Sequence, residues 1–308
     1  MAQGISQLNK MANPTSKNHY LPRFYLKQFA NKDGKILRTY RDNNTLRERL
    51  FGPKGTGYIK DLYSFKDEGI SASVIEKDYF ERTVLGPIDN SGAIILKKLI
   101  SKAPCDLTEE ENEMWAVFLN SLLERHPQRI RGRDKKAVDM ANEKLLELKR
   151  YFGTVPDGRV NVLDMVNVEA MAKNFHRKYI INELGNKKPI GYLKKFHLVK
   201  IKIKSSKELS FVTGDNPVVV NFGNPWPIHW YTISLSPNVL LLGTNNRQDI
   251  APLPWQTIAL AHNFALYKQC EYLFSRASIQ DTESIKNRVA VANYLIPVDF
   301  NRNKKDKD

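Results

Sequence analysis

The stretch that decides the fold class reads Leu198-Val199-Lys200-Ile201-Lys202-Ile203-Lys204. Apolar and basic residues alternate strictly along it, which is the period-two pattern of a β-strand with one buried face. Other short apolar runs, separated by Gly, Asn and Pro, predict further strands after it: residues 211–213, 217–221, 230–235 and 239–242. The C-terminal part of the chain therefore carries a sheet.

The residues before this stretch show helical spacing instead. Thr108-x-x-Glu111 predicts a capping box that opens a helix, and Pro127 predicts its end. Further helices are predicted over 73–100, with a break at Gly86-Pro87, and over 134–151 and 161–184. The buried face of the last one is predicted to hold Met165, Val168, Ala172, Phe175 and Tyr179.

Elements of both kinds are predicted at the two ends of the chain. The first ordered piece is predicted over 18–30, with Pro22 at the first position of a helix, and it is followed by a strand over 36–40; helices over 257–274 and 282–293 are predicted near the C-terminus. We therefore predict an α+β fold, with a helical central region packed with a mostly antiparallel sheet formed by N-terminal and C-terminal segments. The expected organisation is a flexible stretch at 1–17, a single domain at 18–300 with a helical insertion at about 73–185, and a disordered charged tail at 301–308.

The charge is the most informative bulk property. Among 308 residues, 48 Lys and Arg outnumber 33 Asp and Glu, which gives a net charge of +15. Such an excess favours polyanions, so nucleic acid is the predicted partner, with RNA preferred. The alternative, an ordinary basic protein without such a partner, stays open.

The same composition argues against a membrane or secreted protein. No apolar run approaches the roughly 20 residues that a bilayer requires, and the N-terminal residues are too polar for a secretory signal. Cys105 and Cys270 have no His or Cys neighbour at metal-ligand spacing and are expected to be reduced. We therefore predict a cytoplasmic location and no membrane partner. The oligomeric state is not determined by these features.

One stretch is the best candidate for polyanion binding. It holds six positive charges in twelve residues, opposed only by Asp134: Arg125, Arg129, Arg131, Arg133, Lys135 and Lys136. Arginine can hold a phosphate through two parallel hydrogen bonds, which lysine cannot. Contact with the carbonyls at a helix end would explain Arg125 and Arg129 alone. Arg129 and the other four are predicted to contact phosphates.

The lysines of the deciding strand form a second basic candidate. Lys200, Lys202 and Lys204 repeat at roughly 6.6 Å, which is comparable with the phosphate spacing of an extended single strand. Lysines on an edge strand also prevent edge-to-edge aggregation, and this alternative stays open.

Three segments supply candidates for catalysis. His19 stands before a helix, where a histidine can act as a general acid or base or can pack against the helix entry. Glu81 lies three residues after Asp78, so the two carboxylates share a helix face and can bind Mg²⁺ with Asp215 or serve as a base. Lys77 and Arg82 lie alongside, which also fits an exposed ion-pair face.

Asp215 follows a predicted strand in the sequence Gly214-Asp215-Asn216-Pro217. A carboxylate at such a position often serves a site, and as often forms an Asx turn. No metal-protease, phosphate-loop, nucleophile-elbow or dinucleotide motif is present. No motif therefore requires a cofactor, although Mg²⁺ fits the carboxylates.

The N-terminal segment Asn18-His19-Tyr20-Leu21-Pro22-Arg23-Phe24-Tyr25-Leu26-Lys27-Gln28-Phe29 resembles the opening of a bacterial family of unknown function. Members of that family begin His-His-Tyr-x-Pro-x-x-Tyr-Leu-x-x-Phe. Two further pieces are similar to the same family: Arg125-His126-Pro127, and Thr213-Gly214-Asp215-Asn216-Pro217-Val218 with Leu235-Ser236-Pro237 after it. Two positions differ, since Asn18 replaces the first His of the usual pair and Gly214 replaces a small hydroxyl residue.

The resemblance implies an accessory bacterial protein, of the kind found in mobile elements or phage defence. Each of the similar pieces contributes polar residues to the predicted catalytic set, which is His19, Tyr20, Glu81, Arg125 and Asp215. In this set Arg125 stabilises phosphoryl charge. A histidine pair used for catalysis by the family would be altered here by Asn18.

Together these features predict a basic nucleic-acid-binding protein, and as its active form a nuclease or nucleic-acid-directed toxin, that is, a phosphodiester hydrolase. The rival prediction is a non-enzymatic interaction or sensor protein that binds an acidic partner or a phosphorylated ligand.

Overall fold

A computed structural model describes residues 17–43, 45–65, 79–152, 162–164, 166–185, 196–204, 210–222, 228–245 and 255–279. The α-helices in these ranges are α1 Arg23–Lys27, α2 Gly86–Ser101, α3 Glu109–Glu124, α4 Pro127–Phe152, α5 Val168–Gly185 and α6 Trp255–Gln269. The strands are β1 Lys17–His19, β2 Ile36–Asp42, β3 Thr45–Phe51, β4 Tyr58–Lys60, β5 His197–Lys202, β6 Thr213–Gly214, β7 Val218–Phe222, β8 Ile228–Ser236, β9 Val239–Thr244 and β10 Tyr272–Ser275. A π-helical segment, Glu81–Leu85, leads into α2.

Backbone contacts divide the chain into two compact units. The first unit combines Met1–His19, Tyr58–Pro87 and Pro127–Asn186. The second combines Tyr20–Gly57, Ile88–His126 and Lys187–Asp308. Each unit is therefore built from segments that are distant in sequence.

The second unit contains two antiparallel four-stranded sheets. One has the order β3-β2-β10-β6, and the other has the order β5-β9-β8-β7. The first of these sheets joins N-terminal strands to C-terminal ones, and the α+β prediction is confirmed. The predicted helix over 257–274 is too long, because α6 ends at Gln269 and the next four-residue strand, β10, pairs with β2. Tyr272, Leu273 and Phe274 favour a strand once a neighbouring strand is available to pair with them.

The deciding stretch forms β5 at the edge of its sheet. Ile201 and Ile203 are buried, whereas Lys202 and Lys204 are exposed. The predicted alternation is thus confirmed over residues 201–204, whereas Leu198, Val199 and Lys200 are all half-buried. Lys202 lies exposed on an edge strand, where a lysine also opposes aggregation.

Helix α3 of the second unit begins where its capping signal predicts. Thr108 and Glu111 form the expected capping box, with Glu111 N donating to Thr108 Oγ1 at 3.2 Å and Thr108 N donating to Glu111 Oε2 at 2.8 Å. Helix α3 then buries Trp115 and Phe118.

Two predicted boundaries are wrong for the same reason, the position of a proline. Pro127 begins α4 rather than merely ending α3, because the first helical position needs no N–H donor. The helix predicted from residue 134 therefore starts seven residues earlier, since α4 begins at 127.

The break predicted at Gly86-Pro87 is absent, because Gly86 N donates to Glu81 O across a π turn. That local shift in register accommodates a ring that would clash with the preceding turn of a regular helix.

The first unit contains the two-stranded sheet β1-β4 and the helix pair α4-α5. The helices run antiparallel: Asp134 near the start of α4 contacts Arg177 of α5, and Lys149 near the end of α4 contacts Asp164, just before α5. The buried face predicted for α5 is wrong in part, because Phe175 and Tyr179 are 72% and 50% exposed. The inward face instead holds Ala172, His176, Arg177, Ile180 and Leu184.

The helices described in the two units include none that is both long and apolar enough to cross a membrane.

A buried histidine makes the stability of the second unit depend on pH. His262 of α6 lies 2.8 Å from Thr232 Oγ1 through Nδ1 and 2.7 Å from Ser234 Oγ through Nε2. Burial lowers the pKa of His262 from 6.5 to about 3. The native state therefore excludes a proton that the unfolded chain binds below about pH 6.5. The stabilisation is present above that pH and is lost as the pH falls towards 3.

We expect the free energy of unfolding to fall by about 2 kcal/mol from this group between pH 7 and pH 5. The measurement is thermal or urea unfolding of the wild type and the His262→Gln variant across this range. The difference between the two proteins should shrink as the pH falls, because glutamine does not titrate. If the difference in the free energy of unfolding between the two proteins stays constant from pH 7 to pH 5, His262 is not the group responsible. The comparison cancels the opposite contribution of Asp215, whose pKa is raised to about 6.

Candidate functional site

In the first unit, Glu81 is held by the N-terminal strand. Asn18 Nδ2 donates to Glu81 Oε2, and the backbone N–H of His19 donates to Glu81 Oε1 at 3.4 Å. Asn18 is fully buried, and its Oδ1 accepts from Tyr63 N at 3.4 Å. The structure thus brings two members of the predicted catalytic set, His19 and Glu81, together. It also assigns Asn18 a role, since its amide bridges Glu81 and the chain at Tyr63.

The His19 ring is half-buried against β4. It lies 5.5 Å from the ring of Tyr58, its partner in the β1-β4 register, and Lys17 Nζ lies 4.9 Å from the centre of that same ring. The π-helical segment carries Glu81 at its first position. Single π turns frequently occur at functional positions, because they re-aim a side chain within a helix.

A second polar group in the same unit was not predicted as a site. Asp134 Oδ1 lies 2.7 Å from His176 Nδ1, and both Asp134 oxygens accept from Arg177, each at 3.0 Å. All three residues are buried. Burial opposes ionisation of Asp134, but the hydrogen bonds from His176 and Arg177 outweigh it and lower its pKa. An ionised carboxylate only accepts, so Nδ1 of His176 carries the proton.

With Nδ1 of His176 bonded to Asp134, Nε2 is the second nitrogen of the ring. This atom is buried and has no hydrogen-bond partner among the described residues. An Asp-oriented histidine with an unbonded second nitrogen is the pairing used in general-base catalysis. Here Nε2 of His176 is buried. The hydrogen bond between His176 of α5 and Asp134 of α4 also holds the two helices together.

The two polar groups are connected. Arg177 Nη2 donates to Leu62 O at 3.4 Å, and the next residue, Tyr63, donates its N–H to Asn18. We call the connected set the first-unit polar network: Asn18, Glu81, Leu62, Tyr63, Asp134, His176 and Arg177. It links β1, the chain after β4, the π segment and both long helices.

Of the basic stretch, Arg125 precedes α4 and is buried in the second unit, whereas the other five basic residues lie in α4, close in sequence to the buried Asp134. Ile130 and Asp134 are buried, whereas Arg129, Arg131, Lys135 and Lys136 are exposed and Arg133 is half-buried. We call these five residues the α4 basic surface: Arg129, Arg131, Arg133, Lys135 and Lys136. They occupy the first turns of a 26-residue helix, where the dipole itself favours anions.

Tyr20 and Asp215 belong to the second unit. Asp215 is buried, its N–H donates to Tyr272 O at 3.0 Å, and its Oδ1 accepts from Glu271 N at 3.2 Å. Burial raises its pKa to about 6, against hydrogen bonds from Cys270 and the backbone. Burial, and then the nearby Asp215, raise the pKa of Tyr20. These two predicted residues are thus close enough to interact.

Arg125 also lies in the second unit and is fully buried. Its Nη1 donates to Asp89 Oδ1 of α2 at 2.8 Å, and its guanidinium lies 5.9 Å from the Phe118 ring. Burial raises the pKa of Asp89 and Arg125 opposes that effect. The arrangement is that of an ion pair that fixes the end of α3 to α2, so we omit Arg125 from the proposed site.

Lys200 is turned towards the protein as well. Its Nζ donates to Leu99 O at 3.0 Å and to Lys102 O, which are carbonyls at the C-terminal end of α2. Burial, and then neighbouring Lys202, lower the pKa of Lys200. Lys200 thus caps a helix, whereas Lys202 and Lys204 point to solvent.

No group of three or more His, Cys, Asp or Glu side chains within the described ranges is arranged to hold a metal ion. Asp78, which was predicted to share a helix face with Glu81, lies outside those ranges.

The sequence contained only a weak signal for Asp134, His176 and Arg177. In the sequence Asp134 stands out only as the one acid in a basic stretch. His176 lies four residues from both Ala172 and Ile180, so a polar residue falls on an apolar helical face. A buried histidine needs a partner, but its position along the sequence does not identify which carboxylate supplies it.

A family model described as protein of unknown function (DUF4238) matches residues 17–267. The chain belongs to that family. Searches of curated proteins and of solved structures returned no match. The DUF4238 match includes β1 with Asn18 and His19, both long helices, and the strand and turn that carry Gly214 and Asp215.

In this DUF4238 chain, Gly214 is required by close packing against Cys270. A Cβ atom at residue 214 would lie 2.9 Å from the Cβ of Cys270, closer still to its Sγ, and 3.1 Å from Tyr272 O. Real Cβ atoms essentially never approach so closely. The Cys270 thiol therefore occupies the space that a side chain at residue 214 would need.

We expect Gly214→Ser to destabilise the protein by about 1–3 kcal/mol, because the new side chain overpacks this contact. Combining it with Cys270→Ala should recover part of the loss, since the sulfur atom is then absent. Thermal unfolding of the two single variants and the double variant measures the coupling. Gly52→Ser is the matched control, because a Cβ at residue 52 meets nothing within 4 Å. Strict additivity of the two substitutions would disprove the proposed packing relation.

Proposed function

We propose that this protein binds nucleic acid, with RNA preferred, through the α4 basic surface. The observation that carries the proposal is the sorting of charge on α4: four of five basic residues are exposed on the same turns whose one acid, Asp134, is buried. The net charge of +15 supports the same partner.

The burial of Asp134 matters for electrostatics. Its carboxylate is matched by the Arg177 guanidinium through two hydrogen bonds of 3.0 Å. Its negative charge therefore does not offset the cations on the outer faces of α4. A phosphate near this surface meets arginines that can bind it bidentately, together with the positive end of the helix dipole. We include Lys202 and Lys204 as a second contact, in the other unit.

Binding should depend steeply on salt. If the surface neutralises about four phosphates of a single strand, log K should fall with log salt with a slope of roughly −3. The triple variant Arg131→Gln/Lys135→Gln/Lys136→Gln should bind more weakly and show a shallower slope, because three cations are lost. Its melting temperature should change little, since the three side chains are exposed. Fluorescence anisotropy of labelled RNA at several salt concentrations measures both quantities.

A matched control separates a local surface from the total charge. The triple variant Lys32→Gln/Lys35→Gln/Lys97→Gln removes the same charge from exposed positions of the second unit. It should retain the affinity and the slope of the wild type. Equal losses in both variants would mean that net charge alone attracts RNA. Absence of wild-type binding at low salt would overturn the proposal and favour the rival, an interaction protein for an acidic or phosphorylated partner.

A second candidate function is phosphodiester cleavage in the first unit. The observation that favours it is that the first-unit polar network connects Glu81 to the Asp134–His176 pair. The backbone N–H of His19 donates to Glu81, and the same unit carries the α4 basic surface. We propose that His19 acts as the general acid or base and that Glu81 positions it through the backbone N–H.

His19→Ala should abolish cleavage while leaving binding intact. General acid–base assistance contributes about 10²–10⁴-fold. The contact to Glu81 uses the His19 backbone N–H, which alanine retains, so the variant should fold. Cleavage of labelled RNA is measured with Mg²⁺ and with EDTA, beside an RNA titration and a melting curve. His197→Ala is the control, because His197 is an exposed histidine of the second unit. Full cleavage by His19→Ala would assign His19 to packing.

We further propose a cytoplasmic location, where RNA is present and the free thiol of Cys270 stays reduced. A role as a growth-inhibiting toxin or phage-defence protein rests on the family resemblance. Growth arrest on expression, absent in His19→Ala, is the corresponding observation.

A further inference from the structure

Exposed aromatic side chains stand on α5 of the first unit. Phe175 and Tyr179 are four residues apart and therefore share a helix face, and Met171 continues the same row at 44% exposure. An aromatic row of this kind is normally buried, and the sequence pattern predicted its burial. Here the inward face of α5 is taken by His176, Arg177 and the apolar residues in line with them.

This row lies at the same level of the helix pair as the α4 basic surface. Arg177 contacts Asp134, so residues close to 177 in α5 lie beside residues close to 134 in α4. Phe175 and Tyr179 are both two residues from Arg177, and Lys135 and Lys136 follow Asp134 directly. With a rise of 1.5 Å per residue, these side chains are separated by only about 5 Å along the helix axes. Packed helix axes are about 8–10 Å apart, which is within the reach of one nucleotide.

We propose that Phe175 and Tyr179 stack on unpaired bases of single-stranded RNA whose phosphates contact the α4 basic surface. The inference rests on the proposed nucleic-acid binding and gives it a substrate class. Proteins that bind single-stranded nucleic acid usually combine basic residues, which contact the phosphates, with aromatic side chains, on which the bases stack. Bases in a duplex are already stacked, so they offer no free face to these rings.

Charge decides between this occupant and a second copy of the chain. The exposed Lys178 lies between Phe175 and Tyr179 in sequence, and the exposed Lys135 and Lys136 follow Asp134, which contacts Arg177 of the same helix. A second copy would bring another net charge of +15 against these cations, whereas a polyanion is attracted to them. The aromatic row is therefore better matched to nucleic acid than to self-association.

The test uses three labelled probes: an oligouridylate of about twelve nucleotides, an abasic strand of the same length, and an RNA duplex. The double variant Phe175→Ala/Tyr179→Ala should bind the oligouridylate at least tenfold more weakly, as expected when stacking worth about 1–3 kcal/mol per base is lost. Its affinity for the abasic strand and for the duplex, and its salt slope, should stay those of the wild type. Tyr79→Ala/Tyr151→Ala, which removes two other exposed tyrosines of the first unit, should bind all three probes normally.

Stacking can be measured directly with the Phe175→Trp variant. The fluorescence of its new tryptophan should be quenched when the oligouridylate binds and unchanged when the abasic strand binds. Unaltered oligouridylate binding by the double alanine variant, with a steep salt slope in the wild type, would overturn the stacking inference and leave RNA binding in place. A wild type that binds no probe at low salt would overturn both. A wild-type dimer that the double alanine variant dissociates, as seen by sedimentation, would assign the row to self-association instead.

Discussion

The carboxylate of Asp134 is the interaction on which the first unit depends. It is buried near the start of α4 and receives three hydrogen bonds, one from His176 and two from Arg177. A buried charge without a partner is strongly unfavourable, and removing one member of such a pair typically costs about 3–5 kcal/mol. Asp134 and Arg177 therefore fix the rotation of α4 and α5 about their axes. Arg177 extends the same constraint to Leu62, and Tyr63 and Asn18 carry it on to Glu81 in the π segment.

This rotation determines what the first unit presents to solvent. With Asp134 turned inward, the five members of the α4 basic surface occupy the remaining faces of the helix. With His176 and Arg177 turned inward, Phe175 and Tyr179 are left outside. The polar core thus leaves cations exposed on α4 and aromatic rings exposed on α5. The polar core and the proposed binding surface have the same cause.

The second unit is organised by hydrophobic sheets, and its polar residues are satisfied locally. Arg125 is matched by Asp89, Lys200 by carbonyls at the end of α2, and His262 by two hydroxyl groups of β8. Asp215 is held by the backbone of the segment that enters β10, beside a cysteine that makes a side chain at residue 214 costly. These contacts explain why several conspicuous polar residues of the sequence have structural partners rather than open faces.

The sequence by itself determined the features that depend on near neighbours: the fold class, the burial of Ile201 and Ile203 in the deciding stretch, and the capping box at Thr108 and Glu111. The family resemblance and the net charge were also readable from it. Only the tertiary structure decided which polar residues meet. It joined Asn18 and His19 to Glu81, and Asp134 to His176 and Arg177, and it exposed Phe175 and Tyr179 against their helical pattern. The physical reason is that periodicity reports which face of a helix is apolar, whereas the partner of a buried charge comes from a distant segment and can reverse which face turns inward.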